Sequence, residues 1–382
     1  MAKETSFGIN IGTKNSYLTV LVQGSHTPKL IKKFPSEVVV TNQVDKSDIN
    51  PQDYFPGFLC LLGREFDDPI VQKEKGKVPY KIVKGPEGAA WVETSYGKQC
   101  SPYELLEKLV LKIKRVAVSC LGGTHVPTYV IALPCRLLSS QWMEWMKMLF
   151  SWTDGKEVLV VHEFSAAAAS YGLHKRRGVF AIVDIGARTL DITLFISPLD
   201  DAHSKFTLRG LPQRDLYLGG DDFDDVILKY LVSEFKSVDG SDLVEDERLR
   251  KAAEEAKIAL SSSTETEINL PNIITDPSKG SRDLNIRLTR EKFESLAGKL
   301  TKKIKELCEK CLNKADTNAK DLEDVILVGG MANVPMVRRV VAEVLGRVPM
   351  RGVNNEEASA LGTAMAVEAQ GCVGINMKCV DL

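Results

Sequence analysis

The sequence lacks any long hydrophobic run and any excess of charge of one sign. No apolar stretch approaches the ~18–20 residues that a membrane-spanning helix needs, and residues 1–6 lack the apolar centre of a secretory signal. With 50 basic and 51 acidic residues, the formal net charge is −1, so no basic surplus is available to neutralise nucleic-acid phosphates. We therefore expect neither a membrane nor nucleic acid as a partner, and any targeting segment to be absent or already removed.

Cysteines are few and scattered. The eight lie at positions 60, 100, 120, 135, 308, 311, 372 and 379, without the dense framework of a disulfide-stapled domain, which indicates a reducing compartment. Cys308 and Cys311 form the one CxxC motif, inside a helical pattern that runs from 289 to 312. Because no second Cys or His pair accompanies them, we interpret them as two thiols on one helix face rather than a zinc site.

What the sequence does contain is an ordinary composition over a long chain. It has 382 residues, of which 44% are hydrophobic and 26% charged. This length predicts two or more lobes with large cores, and the composition excludes a collagen, a coiled coil or a disordered tail.

A strand-turn-strand pattern occurs twice. Residues 7–12 form an apolar strand that ends in glycine, followed by a polar turn at 13–16 and a second strand at 17–22. The same pattern recurs at 179–196, about 175 residues later, which suggests duplicated lobes. A third apolar strand, 324–328, ends in Gly329 and Gly330.

Other segments have simpler patterns. Helical spacing is present at 102–121, 139–152 and 246–263, strands are predicted at 128–134 and 158–161, and alternation at 265–288 suggests a small sheet. Residues 41–56 are predicted to form a loop.

Trp142, Trp145 and Trp152 are compatible with either a partner patch or a core stripe. His162 is interpreted as structural rather than as a general base.

The glycine turns suggest a phosphate site. A tight glycine-rich turn can direct several backbone N–H groups at an anion, and strand ends beside such turns are where phosphates bind in α/β folds. Carboxylates at the strand ends could hold Mg²⁺ through water. Each turn alone is a weak signal, whereas three in order, with carboxylates, are a strong one.

Several longer segments are more specific. They are LGGDDFD at 218–224, AEEAKIALSS at 253–262, VILVGGM at 325–331 and VNNEEA at 353–358, with AWVE at 90–93 and INLP at 268–271. Across essentially its whole length the chain resembles the nucleotide-binding domain of the 70-kilodalton heat-shock chaperones, in their bacterial and mitochondrial branch.

The resemblance implies an α/β, actin-like ATPase fold with ribonuclease H-like duplicated lobes around a nucleotide cleft. Lobe I would span 1–177 with an accessory subdomain at about 36–107, and lobe II 178–382 with one at about 225–290. A substrate-binding domain is expected to lie beyond residue 382.

The resemblance also implies the site residues, with ATP or ADP and Mg²⁺ as cofactors. The catalytic set is Glu163, Asp184, Thr189, Asp191 and Lys14. The nucleotide contacts are Gly12, Thr13, Lys14, Asn15, Gly186, Arg188, Gly219, Gly220, Glu254, Lys257, Ser261, Gly329, Gly330, Asn333 and Glu356. Asp184, Asn10 and Glu163 would hold the metal through water.

The chain departs from the family pattern where the chemistry occurs. Asn10 replaces an Asp, and Leu59 replaces the Lys that orients the attacking water. A leucine offers neither charge nor hydrogen bond, so we expect hydrolysis to be weakened more than binding. Two alternatives stay open for Lys14 and Arg188: they contact phosphate, or they fill the site of a catalytically inactive regulatory or protein-interaction module.

The resemblance implies unfolded client proteins as partners, with a nucleotide exchange factor as a further candidate. Stimulation by a J-domain co-chaperone is less expected, because Trp142 and Leu159 replace basic residues of the coupling surface. The predicted location is a mitochondrial or relict-organelle matrix, with the cytoplasm as the alternative. A sugar kinase on the same fold is a weaker hypothesis.

Overall fold

The computed structural model describes residues 5–22, 25, 27–41, 50–120, 128–134, 137, 140–142, 144–145, 158–197, 206–239, 247–276, 280–366 and 374–377. The strands are β1 Thr5–Ile11, β2 Asn15–Val22, β3 Lys29–Pro35, β4 Glu37–Val39, β5 Tyr54–Pro56, β6 Lys81–Lys84, β7 Ala90–Glu93, β8 Gln99–Cys100, β9 Thr128–Leu133, β10 Val158–His162, β11 Gly178–Ile185, β12 Leu190–Ser197, β13 Thr207–Leu208, β14 Gln213–Asp215, β15 Glu265–Asp276, β16 Gly280–Thr289, β17 Leu322–Val328 and β18 Gly374–Met377. The helices are α1 Pro69–Glu74, α2 Pro102–Cys120, α3 Glu163–Ser170, α4 Gly220–Asp239, α5 Glu247–Ser262, α6 Arg290–Leu296, α7 Gly298–Lys314, α8 Pro335–Leu345 and α9 Ala358–Met365.

The chain divides into two compact units. Unit 1 comprises Met1–Arg177, Ser197–Phe206 and Glu357–Leu382, and unit 2 comprises Gly178–Ile196 and Thr207–Glu356. Unit 1 thus combines segments that are distant in the sequence. Its carboxyl-terminal segment contains α9, which packs against α3, β1 and β2.

Unit 1 is built on a six-stranded sheet in the order β18-β10-β9-β1-β2-β3, beside the smaller sheets β4-β5 and β6-β7-β8. The strand β1 pairs antiparallel with β2, as the sequence predicts, and parallel with β9, which in turn pairs parallel with β10. The carboxyl ends of β1, β9 and β10 therefore meet at one edge of the sheet. Glu163 follows β10 at that edge and begins α3.

Two short helices of small residues support this edge. α3 has the sequence EFSAAAAS and α9 has ASALGTAM, so their backbones can approach closely. A Cβ at Gly362 would lie 1.7 Å from the Ala166 carbonyl oxygen. The hydroxyl of Thr19 donates to the Ala360 carbonyl at 2.7 Å, and that of Ser6 to the Ala364 carbonyl at 3.1 Å. Together these contacts fix where α3, and hence Glu163, begins.

Trp142 and Trp145 belong to the core of unit 1. Trp145 is 5% exposed, and Trp142 packs against the same cluster as Phe7 and Phe58. The core-stripe alternative is therefore confirmed for these two, while Trp152 lies outside the described residues. The predicted helix 102–121 is α2, whose buried positions Leu105, Leu109 and Ile113 recur every four residues.

Unit 2 contains the sheet β13-β12-β11-β17, with β14 also paired to β12, and the separate hairpin β15-β16. β11 pairs parallel with β17, and Asp184 lies opposite Val328, the residue that precedes Gly329. The predicted helix at 246–263 is α5, and the predicted small sheet at 265–288 is the β15-β16 hairpin.

The prediction of one continuous helix over 289–312 is wrong. Thr289 caps α6 by accepting the Lys292 N–H, and α6 ends at Leu296. α7 then begins at Gly298, a residue with low helix propensity. Cys308 and Cys311 are buried in α7 as free thiols, and burial raises the pKa of each to about 12. This agrees with their interpretation as packing residues.

Candidate functional site

The first candidate phosphate turn joins β1 to β2 in unit 1. The Gly12 N–H donates to the Asn15 carbonyl at 3.1 Å, which closes the turn. The Lys14 carbonyl accepts the Ser36 N–H at 2.8 Å, and the Ser16 and Ser36 hydroxyls are 2.6 Å apart. The Lys14 side chain is exposed. Ser36 thus holds the turn through two hydrogen bonds, while the side chain of Lys14 is exposed to solvent.

Asn10 and Glu163 form a side-chain pair at the same edge of unit 1. Asn10 lies opposite Ala132 of β9, which lies opposite Val161 of β10, so Asn10 and Glu163 are two strands apart at nearly the same level. The Asn10 Nδ2 donates to Glu163 Oε1 at 2.9 Å. The structure therefore brings together two of the three residues expected at the metal, joined directly through an amide.

The second candidate turn joins β11 to β12 in unit 2 and closes in the same way. The Gly186 N–H donates to the Thr189 carbonyl at 3.0 Å. The start of α4 lies against this turn: the Gly220 N–H donates to the Gly186 carbonyl at 3.0 Å, and the Asp221 N–H to the Ala187 carbonyl at 2.7 Å. A Cβ at Gly219 would lie 2.5 Å from the Ala187 carbonyl oxygen, so glycine is needed for this close approach.

Arg188 is held by the first turn of α4. Its Nε lies 3.1 Å from Asp221 Oδ2, in an ion pair whose side chains are 17% and 36% exposed. If Arg188 contacts phosphate, its guanidinium must either bind phosphate and Asp221 together or first leave the Asp221 carboxylate.

Asp184 and Asp191 lie together beside Arg214. β14 pairs with β12 so that Arg214 is opposite Asp191, with Arg214 Nε 3.4 Å from Asp191 Oδ1. The pKa of Asp184 is raised to about 7, because its carboxyl is desolvated and Asp191 is near, an effect that the positive charge of Arg214 opposes. Sequence reasoning missed Arg214, since nothing in a short polar strand signals which carboxylate lies across from it.

Gly329 passes close to the end of β11. Its φ is +85°, and a Cβ there would lie 2.3 Å from the Ile185 carbonyl oxygen and 2.8 Å from Asp184 Oδ1. Its N–H donates to the Asn355 carbonyl at 2.9 Å, and Asn355 Nδ2 donates to Asn333 Oδ1 at 3.3 Å. The third glycine motif and the VNNEEA segment, with Glu356, are thereby held together next to Asp184.

The predicted adenosine residues lie along α5. Ser261 donates its hydroxyl to the Lys257 carbonyl at 3.2 Å. Lys257 is 8% exposed, and its Nζ lies 2.8 Å from Asp224 Oδ1 and 3.0 Å from the Gly220 carbonyl oxygen. Desolvation raises the pKa of Asp224 to about 6 despite Lys257. The structure thus shows Lys257 bound within unit 2, and Asp224 is a second residue that sequence reasoning missed.

Leu59 and His162 both pack against apolar or aromatic side chains. Leu59 is partly buried and packs against the apolar core of unit 1. His162 stacks on Phe164 with ring centroids 5.7 Å apart, which agrees with a structural role, and burial lowers its pKa.

The donor set suits a divalent cation poorly. Mg²⁺ prefers carboxylate oxygens and water, but in unit 1 the set contains a neutral amide, Asn10, which is hydrogen-bonded to the remaining carboxylate, Glu163. Among the residues that the structure describes, no three His, Cys, Asp or Glu side chains are grouped as metal ligands. No helix within those same ranges is long and apolar enough to cross a bilayer.

Comparison with known proteins identifies the family. The family model described as Hsp70 protein matches residues 6–373. The chain is 39% identical over 376 residues to the mitochondrial heat shock 70 kDa protein of Pisum sativum, covering 94% of this chain and 54% of that protein. Heat shock protein hsp-6 of Caenorhabditis elegans is 38% identical over 380 residues, covering 94% of this chain and 56% of its own length.

The chain therefore spans about half the length of the curated relatives that it matches. The match runs through both glycine turns, the start of α4, α5 and the third glycine motif. The chain belongs to the Hsp70 family and has the actin-like fold of that family's ATPase domain.

Proposed function

We propose that this chain binds ATP and ADP through its two glycine turns and hydrolyses ATP slowly. The main support is that both turns close alike, with a glycine N–H bound to the carbonyl three residues on, at 3.1 Å and 3.0 Å. Each turn follows a strand whose end carries a polar side chain, Asn10 or Asp184. Tight turns of this kind direct backbone N–H groups at phosphate oxygens.

The proposed roles follow from placement. Thr13, Lys14 and Asn15 in the first turn, and Arg188 and Thr189 in the second, contact the phosphates. Glu163, at the start of α3, orients the attacking water, and Asp184 and Asp191 stabilise charge at the transferring phosphoryl group. Glu254, Ser261, Gly330, Asn333 and Glu356 contact the adenosine. Lys257 positions the start of α4, because its ammonium group binds the Gly220 carbonyl and the Asp224 carboxylate.

Slow turnover is proposed because one group that would favour reaction is missing and another is weakened. Leu59 packs against apolar core and supplies no charge. Glu163 accepts a hydrogen bond from Asn10, which weakens it as an acceptor for the proton of water. Removing one transition-state contact typically costs ~10²–10³ in rate, so the two changes together leave little of the family's activity.

A second candidate function is a nucleotide-bound regulatory module without hydrolysis. The observation that favours it is the Arg188–Asp221 ion pair beside the second turn, since a side chain held at that turn would leave less room for a phosphate. In this case nucleotide would stabilise the domain without being consumed.

Members of the Hsp70 family bind ATP, generally with Mg²⁺, and interact with unfolded client proteins. We infer that nucleotide binding here controls client binding and release by a segment outside this sequence. Two relatives are named as mitochondrial, which supports a mitochondrial matrix location. Imaging of the tagged protein with a matrix marker tests this location, and a purely cytoplasmic signal would contradict it.

The test of the function combines calorimetric titration with ATP and ADP in excess Mg²⁺ and single-turnover hydrolysis on the same sample. We expect binding with slow turnover, and a further ~10²-fold loss of turnover for Lys14→Ala. The matched control is Lys29→Ala, another exposed lysine in the same sheet, at the far end of β3. Binding without any turnover would favour the regulatory module, and absence of binding would overturn the proposal.

A further inference from the structure

Glu163 already has a partner in the place where a metal shell would be expected. Asn10 is 7% exposed, and its amide donates to Glu163 Oε1 at 2.9 Å. Two carboxylates at this distance would repel each other and require a cation between them. An amide and a carboxylate attract, so no ion is needed to hold these two side chains together.

The second turn has an internal cation. Arg214 lies directly across from Asp191 in the β14–β12 register, 3.4 Å from it, and its side chain is 16% exposed. The same guanidinium interacts favourably with ionised Asp184. One fixed positive charge therefore lies beside two carboxylates, and it lowers the negative potential that an incoming phosphate meets.

A divalent ion gains little in such surroundings. Mg²⁺ loses its water reluctantly and prefers carboxylate, phosphate and water oxygens in a near-octahedral arrangement. An ion at Glu163 would compete with the Asn10 amide, and an ion at Asp191 would compete with Arg214. An arginine guanidinium stays protonated at every accessible pH and binds phosphate as well as carboxylate oxygens.

We propose that nucleotide binding by this chain does not depend on a divalent cation, because Asn10 and Arg214 already bind the carboxylates that would otherwise hold one. The inference rests on the proposed nucleotide binding and concerns how the same residues achieve it. It assigns Arg214 as a positioning residue that balances charge at the second turn.

The test measures the Kd of ADP and of ATP by calorimetry in excess Mg²⁺ and in EDTA. We expect the two conditions to agree within about threefold for the unmodified protein. For Arg214→Gln we expect affinity in EDTA to fall about tenfold, with Mg²⁺ restoring most of it. The control is Arg209→Gln, an arginine of the same unit that bonds to Thr317 Oγ1 at 2.7 Å, which should leave the ratio unchanged.

A measurement without nucleotide covers the case in which a variant binds poorly. Mg²⁺ alone should leave the melting temperature of the unmodified protein unchanged. It should raise the melting temperature of Asn10→Asp combined with Arg214→Gln, in which three carboxylates lack these internal partners.

The outcomes separate the two proposals. Affinity that falls tenfold or more in EDTA for the unmodified protein would overturn the inference and leave nucleotide binding intact. Absence of binding in both conditions would overturn nucleotide binding and this inference with it. An Mg²⁺-induced rise in the melting temperature of the unmodified protein would also contradict the inference.

Discussion

The two glycine turns close through the same hydrogen bond but are held by different neighbouring groups. In unit 1 the turn after β1 is held by neutral groups, namely the Ser16–Ser36 hydroxyl pair and the Ser36 N–H. In unit 2 the turn after β11 lies against the start of α4, where Arg188, Asp221, Lys257 and Asp224 carry charge. The same local pattern therefore sets the turn, whereas contacts distant in sequence set the charge around it.

The helices packed near the turns also differ, with neutral contacts in unit 1 and charged contacts in unit 2. Unit 1 relies on close packing of small residues, as at Gly362 against Ala166. Unit 2 relies on a buried ion pair, because Lys257 joins α5 to the start of α4 through Asp224 and the Gly220 carbonyl. Four substitutions test this contrast, in order of decreasing effect.

Lys257→Met should have the largest effect. Removing one partner of a buried ion pair leaves an uncompensated charge, which typically costs about 3–5 kcal/mol. Urea unfolding of unit 2 at pH 8 measures this cost. At pH 5 the loss should be smaller, because Asp224 then takes up a proton. The control is Lys251→Met on the same helix, an exposed lysine 3.9 Å from Glu255, which should change stability by less than about 0.5 kcal/mol. Equal losses for both variants would contradict a special role for Lys257.

The pH dependence of the free energy of unfolding should report the raised pKa of Asp224. Its pKa is raised to about 6 in the folded protein, above the ordinary value of about 3.9. The folded state therefore binds this proton more tightly than the unfolded state, so the contribution of Asp224 to the free energy of unfolding falls as pH rises from about 4 to 6. The fall is at most about 3 kcal/mol, at 1.36 kcal/mol per pKa unit. Asp224→Asn should flatten this part of the profile, and an unchanged profile would argue against the raised pKa.

Gly362→Ala should weaken the small-residue packing in unit 1. The added methyl would meet the Ala166 carbonyl oxygen, and overpacking of this kind typically costs about 1–3 kcal/mol. Gly76→Ala is the control, because a Cβ there has nothing within 4 Å. Thermal unfolding followed by circular dichroism compares the two. The packing argument fails if Gly362→Ala is as stable as Gly76→Ala.

Arg188→Gln should have the smallest effect on stability. The Arg188–Asp221 ion pair is partly exposed, and such pairs contribute about 0–1 kcal/mol. If the side chain obstructs the second turn, nucleotide affinity should rise in this variant, and if it contacts phosphate, affinity should fall. Calorimetric titration with ADP decides between them, with Arg250→Gln, which pairs with Asp225 at 3.3 Å, as the control.

Sequence patterns predicted the elements with strong local signals and missed what depends on distant partners. Both hairpins, α2 and α5 followed from periodicity and turn residues. The break at Ala297 did not, because Phe293, Ala297, Leu300 and Ile304 continue helical spacing through it. The partners of Arg214 and Lys257 could not be assigned either, since strand register and helix packing decide which carboxylate each one meets. Positions of the site residues in the elements followed from the sequence, and their bonding partners did not.

The discontinuity of unit 1 sets an order for its synthesis. Thr19 bonds to the Ala360 carbonyl, 341 positions later, and Ser6 to that of Ala364, 358 positions later. At ~5–20 residues per second, the first hairpin leaves the ribosome roughly 20 to 70 seconds before α9 exists to cover it. Unit 2 comes from Gly178–Ile196 and Thr207–Glu356, so it can close first. The face of the amino-terminal strands that α9 covers therefore stays uncovered in the nascent chain until α9 is made.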